Sequence, residues 1–148
     1  MPAPDQGIDP RGPQFTAALT AVVLVAVLLT PTPVAPVLLA VQAVLFAWGA
    51  LAGVQHTPVA RLFRALVRPR LAAPDHLEDP APPRFAQSVG LAFAVLGLVG
   101  YAVGLEALAL VAVGFALVAA LLNAVFRFCL GCEVYLLLRR FTATPAIN

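Results

Sequence analysis

Four stretches of the chain are almost wholly apolar: Phe15 to Thr30, Val34 to Val54, Ala86 to Gly104 and Ala107 to Phe126. None contains Asp, Glu, Lys or Arg, and the polar exceptions are Gln42, Gln87, Asn123 and some hydroxyls. Crossing the hydrocarbon core takes about 20 apolar residues in a helix. Each stretch therefore predicts a transmembrane helix, the first being short at sixteen residues. Pro58 to Arg68 has a different pattern. Arg61, Arg64 and Arg68 fall on one helical face, and Val59, Leu62, Phe63, Leu66 and Val67 on the other. Thr57 and Pro58 suit an N-cap and first helical position. A helix of this length rises only about 16 Å. It predicts an interfacial amphipathic helix with its arginines among lipid headgroups.

The pattern also repeats. Asp9, Pro10, Pro13 and Phe15 recur as Asp79, Pro80, Pro83 and Phe85, seventy residues on, each time before an apolar hairpin. An even number of spans per unit makes such a repeat parallel. The expected fold is an all-α integral membrane protein, a single membrane domain over residues 1–148. Four transmembrane helices form two parallel-repeat hairpins, each followed by a short interfacial amphipathic helix. The first repeat covers residues 9–71 and the second residues 79–141. Shifted by the same offset, the amphipathic helix lands on a second short helix, Cys129 to Phe141.

Composition supports the membrane reading. Hydrophobic residues make up 61% of the 148, and mean hydropathy is +0.95. Only 11% of residues are charged, against about a quarter in soluble domains, too few to cover a water-soluble helical core. All nine cationic side chains are arginine. In a four-span arrangement Arg11, Arg61, Arg64, Arg68, Arg70, Arg84, Arg127, Arg139 and Arg140 all fall on one side. The positive-inside rule makes that side cytoplasmic. The expectation is a multi-pass protein of the cell membrane with both termini in the cytoplasm. Met1 to Gln14 has no basic stretch suited to a signal peptide, so the first span reads as retained. The net charge of +2, without interleaved aromatic and basic residues, gives no platform for nucleic acid.

The remaining chemistry is concentrated in one place. The only two cysteines form Cys129-Leu130-Gly131-Cys132, followed by Glu133. At a helix start, free backbone N–H groups and the helix dipole stabilise a thiolate. Cys129, nearer the open end and Arg127, is the expected nucleophile, Cys132 the resolving thiol and Glu133 a proton acceptor. A reducing cytoplasm would hold the pair as a dithiol. The alternative reading is two small side chains packed at a helix junction. Two thiols fall short of the four ligands of a structural zinc site, and His56 and His76 lack ligand-like spacing. No metal or cofactor is implied, and no Gly-rich dinucleotide fingerprint occurs. Asn123 reads as interhelical glue, and Gly97, Gly100 and Gly104 as a close-packing face. No ladder of intramembrane carboxylates supports a proton-driven transporter.

The paired Asp-Pro motifs, Leu66-Val67-Arg68-Pro69-Arg70-Leu71 and Phe128-Cys129-Leu130-Gly131-Cys132-Glu133 resemble small bacterial membrane proteins of domain of unknown function 4395, from about Asp9 to Arg140. The resemblance implies no established activity. It suggests thiol or sulfur chemistry with a thioredoxin-like or sulfurtransferase partner. The leading expectation is a membrane thiol–disulfide or sulfur-handling protein. A non-enzymatic scaffold or accessory subunit in the lipid bilayer is the alternative. A small sulfur-compound permease is a third reading, and it requires a homo-oligomer because four spans rarely enclose a path.

Overall fold

A computed structural model describes residues 7–142; the chain termini, whose side of the membrane the sequence assigns, lie outside the described residues. Six α-helices follow one another: α1 (Arg11–Leu29), α2 (Val34–Ala52), α3 (Pro58–Leu62), α4 (Ala81–Ala102), α5 (Glu106–Phe126) and α6 (Leu130–Thr142). Four of them, α1, α2, α4 and α5, are long and apolar enough to cross a membrane. The protein is therefore an all-helical, multi-pass membrane-type chain.

Two spans begin earlier than their apolar runs. α1 starts at Arg11 and not at Phe15; α4 starts at Ala81 and not at Ala86. The cause is local. Pro13, Pro82 and Pro83 fall in first turns, where a missing N–H breaks no helical bond. Asp9 Oδ1 accepts the Arg11 N–H at 3.0 Å, and Asp79 Oδ1 accepts the Ala81 N–H at 2.9 Å. The two aspartates, seventy residues apart, thus start their helices in the same way.

The spans form a four-helix bundle. α1 lies against α2 and α5, and α4 lies against the same two helices. Leu24, Val27, Leu39, Phe46, Ala94 and Val113 fill the centre. Small residues bring the backbones close, as expected where lipid gives no hydrophobic drive between helices. A Cβ on Gly97 would stand 2.8 Å from Leu39 Cδ2, and one on Gly100 only 2.7 Å from the Ala109 nitrogen. Val22, Val37, Val44, Leu51 and Val125 point outward and are well exposed. Such an apolar girdle suits lipid.

The arginine-bearing end is tied by polar contacts. Ile8 and Glu78 exchange two backbone hydrogen bonds of 2.9 Å in an antiparallel bridge. They too are seventy residues apart. Gln14 donates to the Ala124 carbonyl at 2.9 Å in the last turn of α5. Arg84 donates to the Ala50 and Leu51 carbonyls at 2.6 and 2.7 Å in the last turn of α2. Both side chains satisfy carbonyls left open at a helix end.

The amphipathic segments are corrected in detail. The helix expected from Pro58 to Arg68 is α-helical only to Leu62. It widens into a π turn over Phe63–Val67 and tightens to 3₁₀ over Arg68–Arg70. The Arg68 N–H reaches back to the Phe63 carbonyl, and Pro69 then has no N–H to continue the ladder. Thr57 caps α3 by accepting the Ala60 N–H at 3.1 Å. Phe63 is buried and stacks on Phe15 at 5.6 Å, which pins this segment beneath α1.

Candidate functional site

The cysteine pair sits where α5 turns into α6. α5 ends with Arg127 in the left-handed region, φ 56°. The Arg127 and Phe128 N–H groups bond back to Asn123 and Leu122 at 3.1 and 3.2 Å. That closing motif satisfies the last carbonyls and turns the chain sharply. α6 then begins at Leu130, so Cys129 stands just ahead of it. The Glu133 N–H donates to the Cys129 carbonyl at 3.0 Å, and the Cys132 N–H donates to Cys129 Sγ at 3.2 Å. Cys129 thus caps α6 with sulfur as Thr57 caps α3 with oxygen.

Cys129 and Cys132 are joined as a disulfide. Both residues are half-buried, whereas Glu133 is exposed. Gly131 is there for contact: a Cβ on it would lie 2.6 Å from Ala86 Cβ and 2.7 Å from Ala86 Cα. α6 can press on α4 only because that side chain is missing. Phe85 and Tyr135 stack at 5.7 Å one turn further on. Arg139 donates to the Tyr135 hydroxyl at 3.1 Å and lies over its ring.

Cys129 and Gly131 also line a cavity of about 530 Å³ that opens among the helices at the arginine-bearing end. Asp9, Gln55, Arg64 and Arg68 stand around its mouth. Its deeper wall comes from Thr20, Phe46, Gln87, Phe93, Phe115 and Asn123. The buried Gln55 Oε1 has no hydrogen-bond partner among the described residues. At the mouth, Asp9 is a hub that sequence reasoning missed. Its side chain is 2% exposed. It receives Arg11 Nε at 3.0 Å and Arg11 Nη2 at 2.8 Å, with Arg68 Nε at 3.6 Å. These Arg11 hydrogen bonds hold its carboxyl below the ordinary aspartate range against the opposing effect of burial, and the Arg68 charge adds to them. The repeated Asp-Pro motif was the signal, but it spoke only of helix starts.

The three arginines expected at the lipid interface are placed differently from one another. All are exposed. Arg64 donates to the Gln55 carbonyl at 2.7 Å, and Arg68 faces Asp9. Arg61 alone of the three has no protein partner among the described residues. His76 pairs with Glu78 at 3.1 Å. Among the described residues no three His, Cys, Asp or Glu side chains gather as a metal site would require. The structure brings Cys129, Asn123 and Gln87 to one cavity; Glu133 and Arg61 are not part of it.

The family model described as Domain of unknown function (DUF4395) matches residues 8–140. The chain belongs to this family. The match spans the bundle, both amphipathic segments and the cysteine pair, so the DUF4395 unit is the whole membrane domain described above. No curated protein and no solved structure gives a significant match.

Proposed function

We propose that this protein is a membrane thiol–disulfide or sulfur-handling protein of the cell membrane. Its pair Cys129 and Cys132 exchanges electrons or sulfur with a soluble cytoplasmic partner of thioredoxin or sulfurtransferase type. The observation that carries this reading is the cap. One N–H of α6 is aimed at Cys129 Sγ, and in the reduced pair that donor and the helix dipole favour the thiolate. Cys129 is then the nucleophile, Cys132 the resolving thiol and Glu133, exposed beside them, the proton acceptor. The arginine-bearing end faces the cytoplasm by the positive-inside rule, so the pair is within reach of soluble proteins there. Arg61, Arg64 and Arg68 lie among lipid headgroups.

We also read the bundle as two parallel repeats. The antiparallel bridge joins Ile8 to the residue seventy positions on, and Asp9 and Asp79 cap equivalent helices. An antiparallel bridge has a local two-fold axis. Gln14 and Arg84, also seventy residues apart, each donate to carbonyls in the last turn of the other half's second span.

The test uses the full chain in lipid nanodiscs. Reduced thioredoxin should open the disulfide, and an oxidised thioredoxin-type partner should close it again. In the reduced protein Cys129 should alkylate faster than Cys132 near neutral pH. A Cys129→Ser, Cys132→Ser variant that keeps full biological function in the producing cell would sink the redox reading. It would leave a scaffold, a role that the exposed apolar side chains Leu137, Leu138 and Phe141 of α6 also suit.

A further inference from the structure

The cavity beside Cys129 has an unusual division of chemistry. Its charged residues are all at the mouth: Asp9, Arg64 and Arg68. Arg68 faces Asp9 and Arg64 binds the Gln55 carbonyl, so each mouth cation has a protein partner. Deeper, the wall is aromatic and small apolar side chains with neutral polar groups set among them. From Gly12 to Thr20 the wall follows α1 for about 12 Å of rise, which carries the cavity from the arginine-bearing end toward the middle of the spans.

Those neutral groups lack partners. Gln42 is 3% exposed and Thr20 is 7% exposed. Among the described residues neither side chain makes a hydrogen bond, and the same holds for Gln87 and Asn123. Thr20 and Gln87 line both this cavity and an adjoining one of about 210 Å³ that Gln42 enters. A buried amide or hydroxyl without a partner costs on the order of 1–3 kcal/mol. Gln87 and Asn123 are half-buried, so their free donors are open to whatever fills the cavity, and several such groups around adjoining cavities point to a ligand that completes them. Gln87 and Asn123 offer N–H donors and Thr20 an O–H donor to the larger cavity, and Gln42 offers an N–H donor to the adjoining one.

We propose that this cleft binds a membrane quinone, and that the quinone oxidises the reduced cysteine pair. The inference rests on the redox reading above. A quinone is neutral, flat and apolar, with carbonyl oxygens at opposite ends that only accept hydrogen bonds. Asn123, on the last turn of α5 ahead of Cys129, is placed to meet one carbonyl, and Gln87 or Thr20 the other. Phe46, Phe93 and Phe115 supply apolar ring surface. The volume falls within the roughly 300–1,000 Å³ of pockets that hold compact organic ligands. An isoprenoid tail leaves between helices into lipid.

The reaction balances on these groups alone. The two S–H bonds of Cys129 and Cys132 break and one S–S bond forms. Two electrons and two protons pass to the quinone oxygens, giving the hydroquinone. Cys129 is the sulfur on the cavity wall, so it faces the acceptor. A soluble dithiol partner then reduces the disulfide again. One cysteine pair suffices, because the second redox centre is the quinone.

The experiment uses the full chain in nanodiscs of phosphatidylcholine and phosphatidylglycerol, with a short-tailed azidoquinone as photoprobe. Label should fall within residues 86–93 or 116–123. Decylubiquinone should compete it away and added phospholipid should not, and the Cys129→Ser, Cys132→Ser variant should still take it up. The pre-reduced wild type should form one hydroquinone per pair with decylubiquinone, and Gln87→Leu should slow this at least tenfold. Absent label, or label displaced equally by phospholipid, overturns the quinone site and leaves a lipid-filled cleft. A reduced pair that stays reduced beside quinone, yet exchanges with thioredoxin, overturns this inference while the redox reading stands. A labelled protein whose cysteines respond to neither quinone nor thioredoxin overturns both.

Discussion

Gly131→Ala sets two effects of opposite sign against each other, so the direction of the result is informative. Replacing a helical glycine by alanine ordinarily stabilises by about 0.5–1 kcal/mol through backbone entropy. Here the added Cβ meets Ala86 Cβ at 2.6 Å and Ala86 Cα at 2.7 Å. Neither atom belongs to a flexible side chain, so α6 or α4 must move. Overpacking of this kind costs about 1–3 kcal/mol. The net expectation is destabilisation of about 1–2 kcal/mol, with α6 displaced from α4. Ala86→Gly removes one of the two clashing atoms. The double variant should therefore recover part of the loss but not all, because the Ala86 Cα remains. The assay is reversible unfolding in mixed detergent micelles, read by circular dichroism for the four sequences of the double-mutant cycle. Displacement should also separate Tyr135 from Phe85, whose ring centroids lie 5.7 Å apart, and in the reduced protein expose the cysteine pair to faster alkylation. A neutral or stabilising Gly131→Ala, or a cycle with no coupling, would refute the close packing of α6 on α4.

Asp9→Asn should cost about 2 kcal/mol. The carboxylate is almost fully buried and holds Arg11, and a hydrogen bond to a charged group is worth about 1.5–3 kcal/mol before discounting for the partly exposed guanidinium. The same site sets an acid limit. The folded carboxyl titrates below its ordinary value, so its contribution is complete above the unfolded value of about 3.9. It is lost as pH falls through the lower folded value, and wild type and Asp9→Asn should converge in stability only below that folded value. Topology is tested with single cysteines in a Cys129→Ser, Cys132→Ser background. An impermeant thiol reagent applied to intact cells should label position 33 and spare position 75; the reverse would overturn the cytoplasmic assignment. Changing Arg61, Arg64 and Arg68 to Glu should weaken association of the segment with anionic vesicles, most of the effect coming from Arg61, which has no protein partner among the described residues; vesicle partitioning at two salt concentrations measures it.

Much of the architecture was legible because a bilayer simplifies the code. A helix that must hide in lipid is apolar all round, so Val34 to Val54 announced α2 without any need to know its neighbours. Helix starts were less legible. Arg11 and Arg84 belong to α1 and α4, and a reading by hydrophobicity placed both outside. The π turn at Phe63 was invisible because it comes from docking Phe63 under α1, a tertiary cause. The cysteine pair was legible as chemistry, but the role of the glycine inside it was not. Its contact with Ala86 needed the packing of two helices. The cavity was the least legible feature. Gln42, Gln87 and Asn123 stood out as polar exceptions, but they lie on three helices. Only the bundle reveals that they share adjoining clefts with Cys129.

The proposed duplication explains why such chemistry would arise in one half only. Shifted by seventy residues, Cys129, Gly131 and Cys132 correspond to Val59, Arg61 and Leu62. Both amphipathic segments begin with a side chain that accepts an N–H three residues on, Thr57 in the first and Cys129 in the second. The two caps are seventy-two residues apart, so the sulfur cap of the second segment stands two positions beyond the place that the repeat register gives to Thr57. Arg61 cannot be pressed into a neighbouring helix, so the first segment keeps a charged face toward solvent or lipid headgroups. Gly131 removes that obstacle and lets the second segment close on α4. Closing on α4 carries the capping sulfur to the wall of the cavity. In the second repeat a glycine two positions past the cap lets that sulfur be held against the cleft. On this view the asymmetry between Arg61 and Gly131 is what separates a lipid-facing half from a chemically active one. Gly131→Arg should then free α6 from α4 and leave the disulfide formed but uncoupled from any ligand in the cleft.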